Sequence, residues 1–260
     1  MSMYKVSVII VTYNRLDYLQ LTIDSILKQT YQNTEIVIVG DGNQDDVEDY
    51  VLKLQDNRIL YSYVQHCGYP AKGRNHGISI SNGSYIAFCD DDDLWAPSKL
   101  EKQIAILEAD THIDLCFTNR VIIDSDGCEG NKNSLLWIPK NQSVNNLLMT
   151  NYISYSSVVI RRKILLKAGL FIDDIKFRAV EDYHLWLRIA FHGKVWFLNE
   201  SLIYYRVHSS NITSKLSVGA RKNITLFKDL FSKYKFSFFD KMKAYFTAYS
   251  KLTIYLLRNK

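Results

Sequence analysis

The N-terminal part of the chain alternates between short apolar runs and segments whose apolar residues recur at helical spacing. The first run, VSVIIV, is almost continuously apolar, as in a strand covered on both faces. Strands are predicted at Val6–Val11, Glu35–Val39, Leu60–Val64 and Tyr85–Cys89, and helices at Leu16–Leu27, Asp46–Gln55, Ala71–Ser81 and after Pro97. This alternation predicts an α/β fold with a mostly parallel sheet.

Polar clusters follow three of the predicted strands directly. They are Thr12–Arg15, Asp41 and Asp90–Asp93. Ligands of parallel α/β sheets bind at the carboxyl ends of the strands. We therefore expect the three clusters to converge on one edge of the sheet.

The second half of the chain has a mixed pattern. From Leu115 onward it predicts one or two strands, a helix at Asp182–Phe191, a strand at Leu202–Val207 and a helical tail. A length of 260 residues with 47% hydrophobic content suits one large domain with an appendage, or two small domains. We predict a main domain at 1–215 and a tail at 216–260.

Net charge separates the tail from the rest of the chain. The chain carries +5, and residues 216–260 hold ten Lys/Arg against two Asp, a local +8 that leaves −3 for residues 1–215. The main domain is therefore not expected to bind nucleic acid. Ten aromatic residues interleave with the cations of the tail. Three interpretations stay open: a surface that docks on an anionic bilayer, a helical dimer arm, or a helical pair packed on the main domain.

The cysteines and the N-terminal run bear on location. The four cysteines form no CxxC pair, and the first apolar run is too short for a secretory segment or a membrane span. We expect a cytoplasmic protein in a reducing compartment. If the tail docks on lipid, the protein would be peripheral on the inner face of the membrane.

Four adjacent aspartates, Asp90–Asp93, repel one another and need a counter-charge. A hard divalent cation bridged to phosphate suits carboxylate oxygens. A solvated acidic loop, or a helix N-terminus capped by Asp93, is the alternative interpretation.

Six blocks of sequence, in order, resemble those of the family 2 glycosyltransferases, which have the GT-A fold and invert the anomeric centre. The blocks are VSVIIVTYNR (Val6–Arg15), EIVIVGDG (Glu35–Gly42), KGRNHG (Lys72–Gly77), YIAFCDDDDLWAPSKLEKQ (Tyr85–Gln103), EDYHLWLRIAFHG (Glu181–Gly193) and YYRVHSSNIT (Tyr204–Thr213). The resemblance implies a nucleotide-sugar-binding half at 1–114 and an acceptor half with the catalytic base at 115–215.

For the donor, the resemblance implies a nucleotide pocket after the first two strands. Thr12, Tyr13 and Arg15 would surround the base and ribose, with Tyr13 stacking on a uracil or thymine face. Asp41 would accept a hydrogen bond from the base. Arg74 would neutralise pyrophosphate charge or hold a carboxylate of the acidic loop.

The acidic loop matches the DxD signature of the family. Asp92 would bind Mn²⁺ or Mg²⁺, and His208 would reach the metal or the diphosphate. Asp90 would bind the nucleotide, and Asp91 would contact the ribose or metal-bound water. Arg206 is a further candidate for a phosphate contact.

The pair Glu181–Asp182 resembles the ED motif, in which the Asp is the base that deprotonates the acceptor hydroxyl. Glu181 would position the acceptor. An acidic pair at a helix N-terminus also favours the helix dipole, which is the structural alternative.

Together these inferences predict a metal-dependent glycosyltransferase. It would transfer sugar from a nucleoside-diphosphate sugar, with UDP as the default, to a glycan or lipid-linked acceptor. The alternative is a non-enzymatic module of the same fold that binds nucleotide-sugar or glycan. A nucleotidyltransferase is disfavoured because Val11–Leu16 contains no glycine for a phosphate loop.

Overall fold

The computed structural model describes residues 4–130, 138–208 and 216–258. The strands are β1 (Val6–Thr12), β2 (Thr34–Asp41), β3 (Ile59–Val64), β4 (Tyr85–Asp90), β5 (Leu94–Trp95), β6 (Ile113–Ile123), β7 (Asn141–Gln142), β8 (Val159–Arg161) and β9 (Lys194–Arg206). The helices are α1 (Leu16–Leu27), α2 (Asp45–Leu54), α3 (Ala71–Ile80), α4 (Lys99–Ala109), α5 (Val144–Met149), α6 (Arg162–Ala168), α7 (Glu181–His192), α8 (Leu216–Lys233) and α9 (Phe238–Arg258).

The described residues form one sheet in the order β3-β2-β1-β4-β8-β6-β9-β5, with β7 beside β9. Strands β3, β2, β1 and β4 pair in parallel, as the alternation of strands and helices predicts. Strand β1 is central to this half and has helices on both of its faces. This explains why VSVIIV is apolar throughout, since only Val11 of these residues is not fully buried.

The mixed half extends the same sheet. Strand β8 runs antiparallel to both β4 and β6, whereas β9 pairs in parallel with β6. Strand β9 begins at Lys194, eight residues before the strand predicted at Leu202. Burial alternates along its first part, but the sequence there does not, since the apolar run Val195–Leu198 is followed by the polar residues Asn199–Ser201, which explains the short prediction.

The tail forms two helices, α8 and α9, joined near Tyr234–Ser237. Their apolar sides pack on the main domain in the same cluster as Trp186 of α7, through Leu226, Phe227, Leu230, Ala244 and Ala248. The domain boundary predicted at 215 falls in 209–215, outside the described residues. In the part of the chain that is described, no helix is both long and apolar enough to cross a membrane.

Candidate active site

A cleft of about 720 Å³ lies where β1, β2 and β4 end. Because parallel strands present their carboxyl ends on the same edge, it collects side chains that are far apart in the sequence. Its lining includes Thr12, Tyr13, Arg15, Asp41, Arg74, Asp90, Asp91, Asp92, Glu181 and Asp182. The structure therefore brings ten of the eleven predicted site residues together, and the eleventh, His208, adjoins them through Asp92.

The turn after β1 presents an aromatic surface to the cleft. Tyr13 is half exposed and its ring stacks on His66, with ring centroids 4.4 Å apart and an interplanar angle of 21°. The next residue, Asn14, has φ of 51°, a conformation that Asn tolerates, and its N–H donates to Gln44 at 2.7 Å. A planar ring at this surface could stack on the exposed part of the pair.

Asp41 organises the loop that carries His66. Its carboxylate accepts hydrogen bonds from the N–H groups of Cys67 and Gly68, at 2.9 and 3.0 Å. The imidazole Nδ1 of His66 lies 3.1 Å from the same carboxylate. Two carboxylate oxygens have four lone-pair sites, so Asp41 retains the capacity to accept from a ligand.

Arg15 lies against the acidic loop. Its Nη1 contacts Asp91 Oδ1 at 3.2 Å and Asp92 Oδ2 at 2.9 Å. Burial, together with the charge of Asp92, raises the pKa of Asp91 to about 7. Burial also raises the pKa of Asp90 to about 6. The ionised forms of these two carboxylates are therefore poorly stabilised by the protein alone, and a bound cation would favour them.

Asp93 has a structural role that differs from the predicted one. The expectation that it caps the following turn is wrong, since α4 begins at Lys99 and has Ser98 at its N-cap position. The Asp93 carboxylate instead accepts from the hydroxyl of Ser156 at 2.5 Å and from the N–H of Arg206 at 2.9 Å. It anchors the acidic loop to the end of β9.

Arg206 holds the backbone of the acidic loop. Its Nε donates to the carbonyl of Asp92 and its Nη1 to the carbonyls of Asp124 and Ser125. The residue is 2% exposed, and its guanidinium stacks over the Tyr18 ring. These contacts show a structural role for Arg206, and the phosphate contact stays a prediction.

The predicted metal ligands meet at one point. His208 Nε2 lies 2.8 Å from Asp92 Oδ2, and the imidazole stacks on Tyr18. A carboxylate and an imidazole are suitable donors for Mn²⁺ or Mg²⁺. Among the described residues no three His, Cys, Asp or Glu side chains form a metal cluster, so donor phosphate oxygens would have to complete the coordination. With that addition, the residues present fit such an ion.

Arg74 connects the acidic loop to the acidic pair of α7. Its Nη1 donates to Glu181 Oε1 at 2.8 Å and its Nη2 to Asp90 Oδ1 at 3.2 Å. The guanidinium lies 3.7 Å above the Tyr155 ring. Of the two roles expected for Arg74, this geometry supplies the contact with a loop carboxylate.

Asp182 lies at the start of α7, and no cation within the described part of the chain bonds to it. Its Oδ1 accepts only from the N–H of Tyr183 at 2.6 Å, among the hydrogen bonds of the described residues. Burial and the neighbouring charge of Glu181 raise the pKa of Asp182 to about 7. A carboxylate with that pKa can accept a proton near neutral pH. Glu181 Oε2 is buried without a partner in the described structure, so it can accept from a bound hydroxyl.

Several lining residues have no signal in the sequence. They are His66, Tyr69, Arg120, Tyr152, Tyr155 and Arg178. Arg120 lies within β6 and the others lie in connections between strands and helices, where neither periodicity nor motif marks them. Their position depends on which loops the fold brings to the cleft.

Comparison with known proteins identifies the family of the chain. A model described as Glycosyl transferase family 2 matches residues 7–167. The chain is 33% identical over 213 residues to UDP-Glc:alpha-D-GlcNAc-diphosphoundecaprenol beta-1,3-glucosyltransferase WfaP of Escherichia coli, with 80% of each chain covered. It is 32% identical over 213 residues to WfgD of Escherichia coli, which has the same descriptive name, covering 81% of this chain and 80% of that one.

Solved structures with a similar fold include Staphylococcus aureus TarS 1–349 in complex with UDP-GlcNAc. The TM-score is 0.73 at 19% identity, with 97% of this chain and 71% of that one covered. Mannosyltransferase PcManGT from Pyrobaculum calidifontis, in complex with GDP-Man and Mn²⁺, has a TM-score of 0.70 at 18% identity, covering 98% and 75%. These neighbours confirm the predicted fold class.

Proposed function

Since the chain belongs to glycosyl transferase family 2 and has the GT-A fold, it is a glycosyltransferase, and we propose that it transfers a sugar from a UDP-sugar to a hydroxyl of a lipid-linked glycan. The observation that carries this proposal is the cleft in which a stacking surface, an acidic loop and an unpaired carboxylate lie together. The acceptor class is supported by the relatives WfaP and WfgD, whose names specify a diphosphoundecaprenol-linked acceptor.

The proposed reaction is a single displacement with inversion. The acceptor oxygen attacks the anomeric carbon, and the bond between that carbon and the oxygen of the β-phosphate breaks. The Asp182 carboxylate takes the proton of the hydroxyl, and the nucleoside diphosphate leaves. Glu181, held by Arg74, positions the hydroxyl through its free Oε2.

Binding of the donor is assigned to the opposite side of the cleft. The base stacks on the Tyr13–His66 pair, with Thr12 and Asp41 beside it. Asp92 and His208 would hold Mn²⁺ or Mg²⁺, which would offset the charge that develops on the diphosphate. Arg15 and Arg74 act on the same charge through the carboxylates they neutralise. Asp90 binds the nucleotide, and Asp91 would contact the ribose or metal-bound water.

A lipid-linked acceptor implies a place of action. We assign the protein to the cytoplasm, peripheral on the inner face of the membrane, because the acceptor's lipid would be held there. The tail at 216–260 is the segment proposed for that contact, on the basis of its positive charge and aromatic content.

Thermal unfolding tests the donor site. Wild type would be melted with UDP, dTDP, GDP or CDP, each with Mn²⁺, Mg²⁺ or EDTA. We expect UDP with metal to raise the Tm, because a ligand at about 100 times its Kd stabilises the folded state by about 2.7 kcal/mol. Asp92→Ala should remove the metal-dependent part of the shift.

A matched variant makes this test specific. Asp49→Ala removes an exposed carboxylate of α2, outside the cleft, and should keep the full shift. A larger shift with another nucleotide would reassign the base. No shift with any nucleotide would contradict the proposed donor site.

A further inference from the structure

Helix α9 exposes a row of large apolar side chains. Each is between 49% and 75% exposed, and together they are called the aromatic face: Phe238, Phe239, Met242, Phe246, Tyr249 and Leu257. Spacings of three and four residues align them on one side of the helix. The side chains of residues 254–256 lie outside the described part of the structure.

The aromatic face is distinct from the side that holds α9 to the protein. Ala244 and Ala248 are buried in the main hydrophobic cluster. Tyr245 packs edge-on against Phe227 and Phe231 of α8. The helix therefore has two apolar sides, and folding of the described residues buries only one. An exposed apolar row of this size on a folded protein indicates an interaction surface.

Charge indicates the kind of partner. Lys241 and Lys243 are neighbours of Met242 in the sequence, so they flank the aromatic face on its two sides. The tail from Leu216 to Lys260 carries a net +8. A second copy of the chain would bring like charge against this face, whereas anionic lipid headgroups would attract it. Aromatic rings between lysines also suit the boundary between headgroups and acyl chains.

The same helix contacts the rim of the active-site cleft. Lys251 Nζ donates to the hydroxyl of Thr150 at 2.9 Å. The two residues that follow, Asn151 and Tyr152, line the cleft. A surface bound by α9 would therefore lie next to the part of the cleft that contains Glu181 and Asp182.

We propose that the aromatic face docks the enzyme on an anionic bilayer, with its rings in the interface and its lysines at the headgroups. Docking would hold the rim of the active-site cleft next to a lipid-linked acceptor. This consequence of docking rests on the proposed acceptor class. The docking itself depends on α9 alone.

Sedimentation of the full chain with lipid vesicles tests this proposal. Vesicles of phosphatidylcholine would be compared with vesicles that also contain phosphatidylglycerol. We expect the wild type to bind the anionic vesicles. Phe239→Ser/Phe246→Ser should reduce this binding about tenfold or more, because it removes two rings that would be buried in the bilayer interface. Lys241→Glu/Lys243→Glu should weaken binding most at low salt.

A matched control separates the aromatic face from general stickiness. Leu52→Ser/Tyr63→Ser replaces two exposed apolar side chains on α2 and β3, and it should bind vesicles like wild type. Equal binding by the Phe239→Ser/Phe246→Ser variant, or no binding of wild type to anionic vesicles, overturns the proposal. A wild-type dimer in sedimentation velocity that this variant dissociates would also overturn it, because the face would then join two copies.

Two further measurements keep this test independent of the proposed function. Phe239→Ser/Phe246→Ser should transfer sugar to a short, lipid-free acceptor at the wild-type rate. Asp182→Asn should lose transfer and still bind vesicles. Loss of transfer to the lipid-free acceptor in the Phe239→Ser/Phe246→Ser variant would contradict a docking role confined to the membrane.

Discussion

The acidic loop after β4 and the acidic pair at the start of α7 are both largely buried, yet their carboxylates have different partners. In the loop, Asp92 contacts Arg15 and His208, and each oxygen of Asp93 accepts from a neutral donor. In the pair, Glu181 is bound by Arg74, whereas among the described residues Asp182 accepts only from a backbone N–H. Neighbouring carboxylates can therefore have different roles when different cations lie beside them.

For Asp92 and Asp182 this difference matches the proposed roles, whereas burial raises the pKa of Asp91 to about 7 despite its contact with Arg15. A carboxylate that binds metal or diphosphate-linked cations should stay ionised, and contacts with arginine favour the ionised form. A base must be able to gain a proton near neutral pH, which requires that no cation stabilise its charge strongly. Arg74, which bonds to both clusters, is close enough to tune Asp182 without bonding to it.

The strongest test of the difference between the acidic loop and the acidic pair removes the proposed base, Asp182. Asp182→Asn should lower kcat by about 10³–10⁴-fold, because an amide cannot accept the acceptor's proton. Binding of UDP with metal should stay within a factor of about three, since the loop is unchanged. Steady-state transfer kinetics and nucleotide thermal shifts measure the two effects.

Asp49→Asn is the control for this change, because it makes the same substitution on the exposed surface of α2. It should leave both quantities at their wild-type values. Residual activity of Asp182→Asn above a tenth of wild type would assign the base to another residue.

Removing the cation between the two clusters should have the next largest effect. Arg74→Met leaves the buried Glu181 and the partly exposed Asp90 without their partner, which should lower the free energy of unfolding, measured in urea, by about 3 kcal/mol. It should also raise the pKa of Asp182, because the guanidinium charge that lowers it is gone.

The matched variant is Arg58→Met, which breaks a more exposed ion pair with Asp56. It should cost less than about 1 kcal/mol. If both variants lost the same free energy of unfolding, the ion pairs of Arg74 in the cleft would contribute no more to stability than an exposed pair.

The pH dependence of transfer sharpens the contrast further. Activity should be present above pH 7 and fall as the pH drops through about 7, since Asp182, whose pKa is raised to that value, must be ionised to act. Glu181→Gln removes a neighbouring negative charge and should move this limb to lower pH, by about one unit or less. A limb that does not move would show that Glu181 leaves the base unperturbed.

The smallest expected effect concerns the backbone just before the Glu181–Asp182 pair. Ala179 lines the cleft with φ of 73°, a left-handed conformation that costs a non-glycine residue free energy. Ala179→Gly should raise the free energy of unfolding by less than about 1 kcal/mol, because the lower strain is partly offset by a more flexible unfolded chain. Ala190→Gly, inside α7, should instead lower it by about 1 kcal/mol. Urea unfolding distinguishes the two signs, and a loss of stability in Ala179→Gly would argue against strain.

Sequence reasoning recovered the regular part of the fold well. Helix α1 spans the predicted Leu16–Leu27, and β1 exceeds the predicted Val6–Val11 by one residue. It failed for the first half of β9 and for Asp93, where the residue's partner lies far along the chain. It also missed His66, because a loop histidine carries no periodic signal.

The sequence by itself determined the order of strands and helices, the carboxylates at the strand ends and the family of the chain. Periodicity and motifs are local, so they can be read without knowing what packs where. The tertiary structure decided which partners each carboxylate meets: Glu181 meets Arg74, 107 positions away, and Asp93 meets the backbone N–H of Arg206. It also decided that one side of α9 is buried and the aromatic face exposed. Such pairings depend on distances through space, which exist only after the elements have packed.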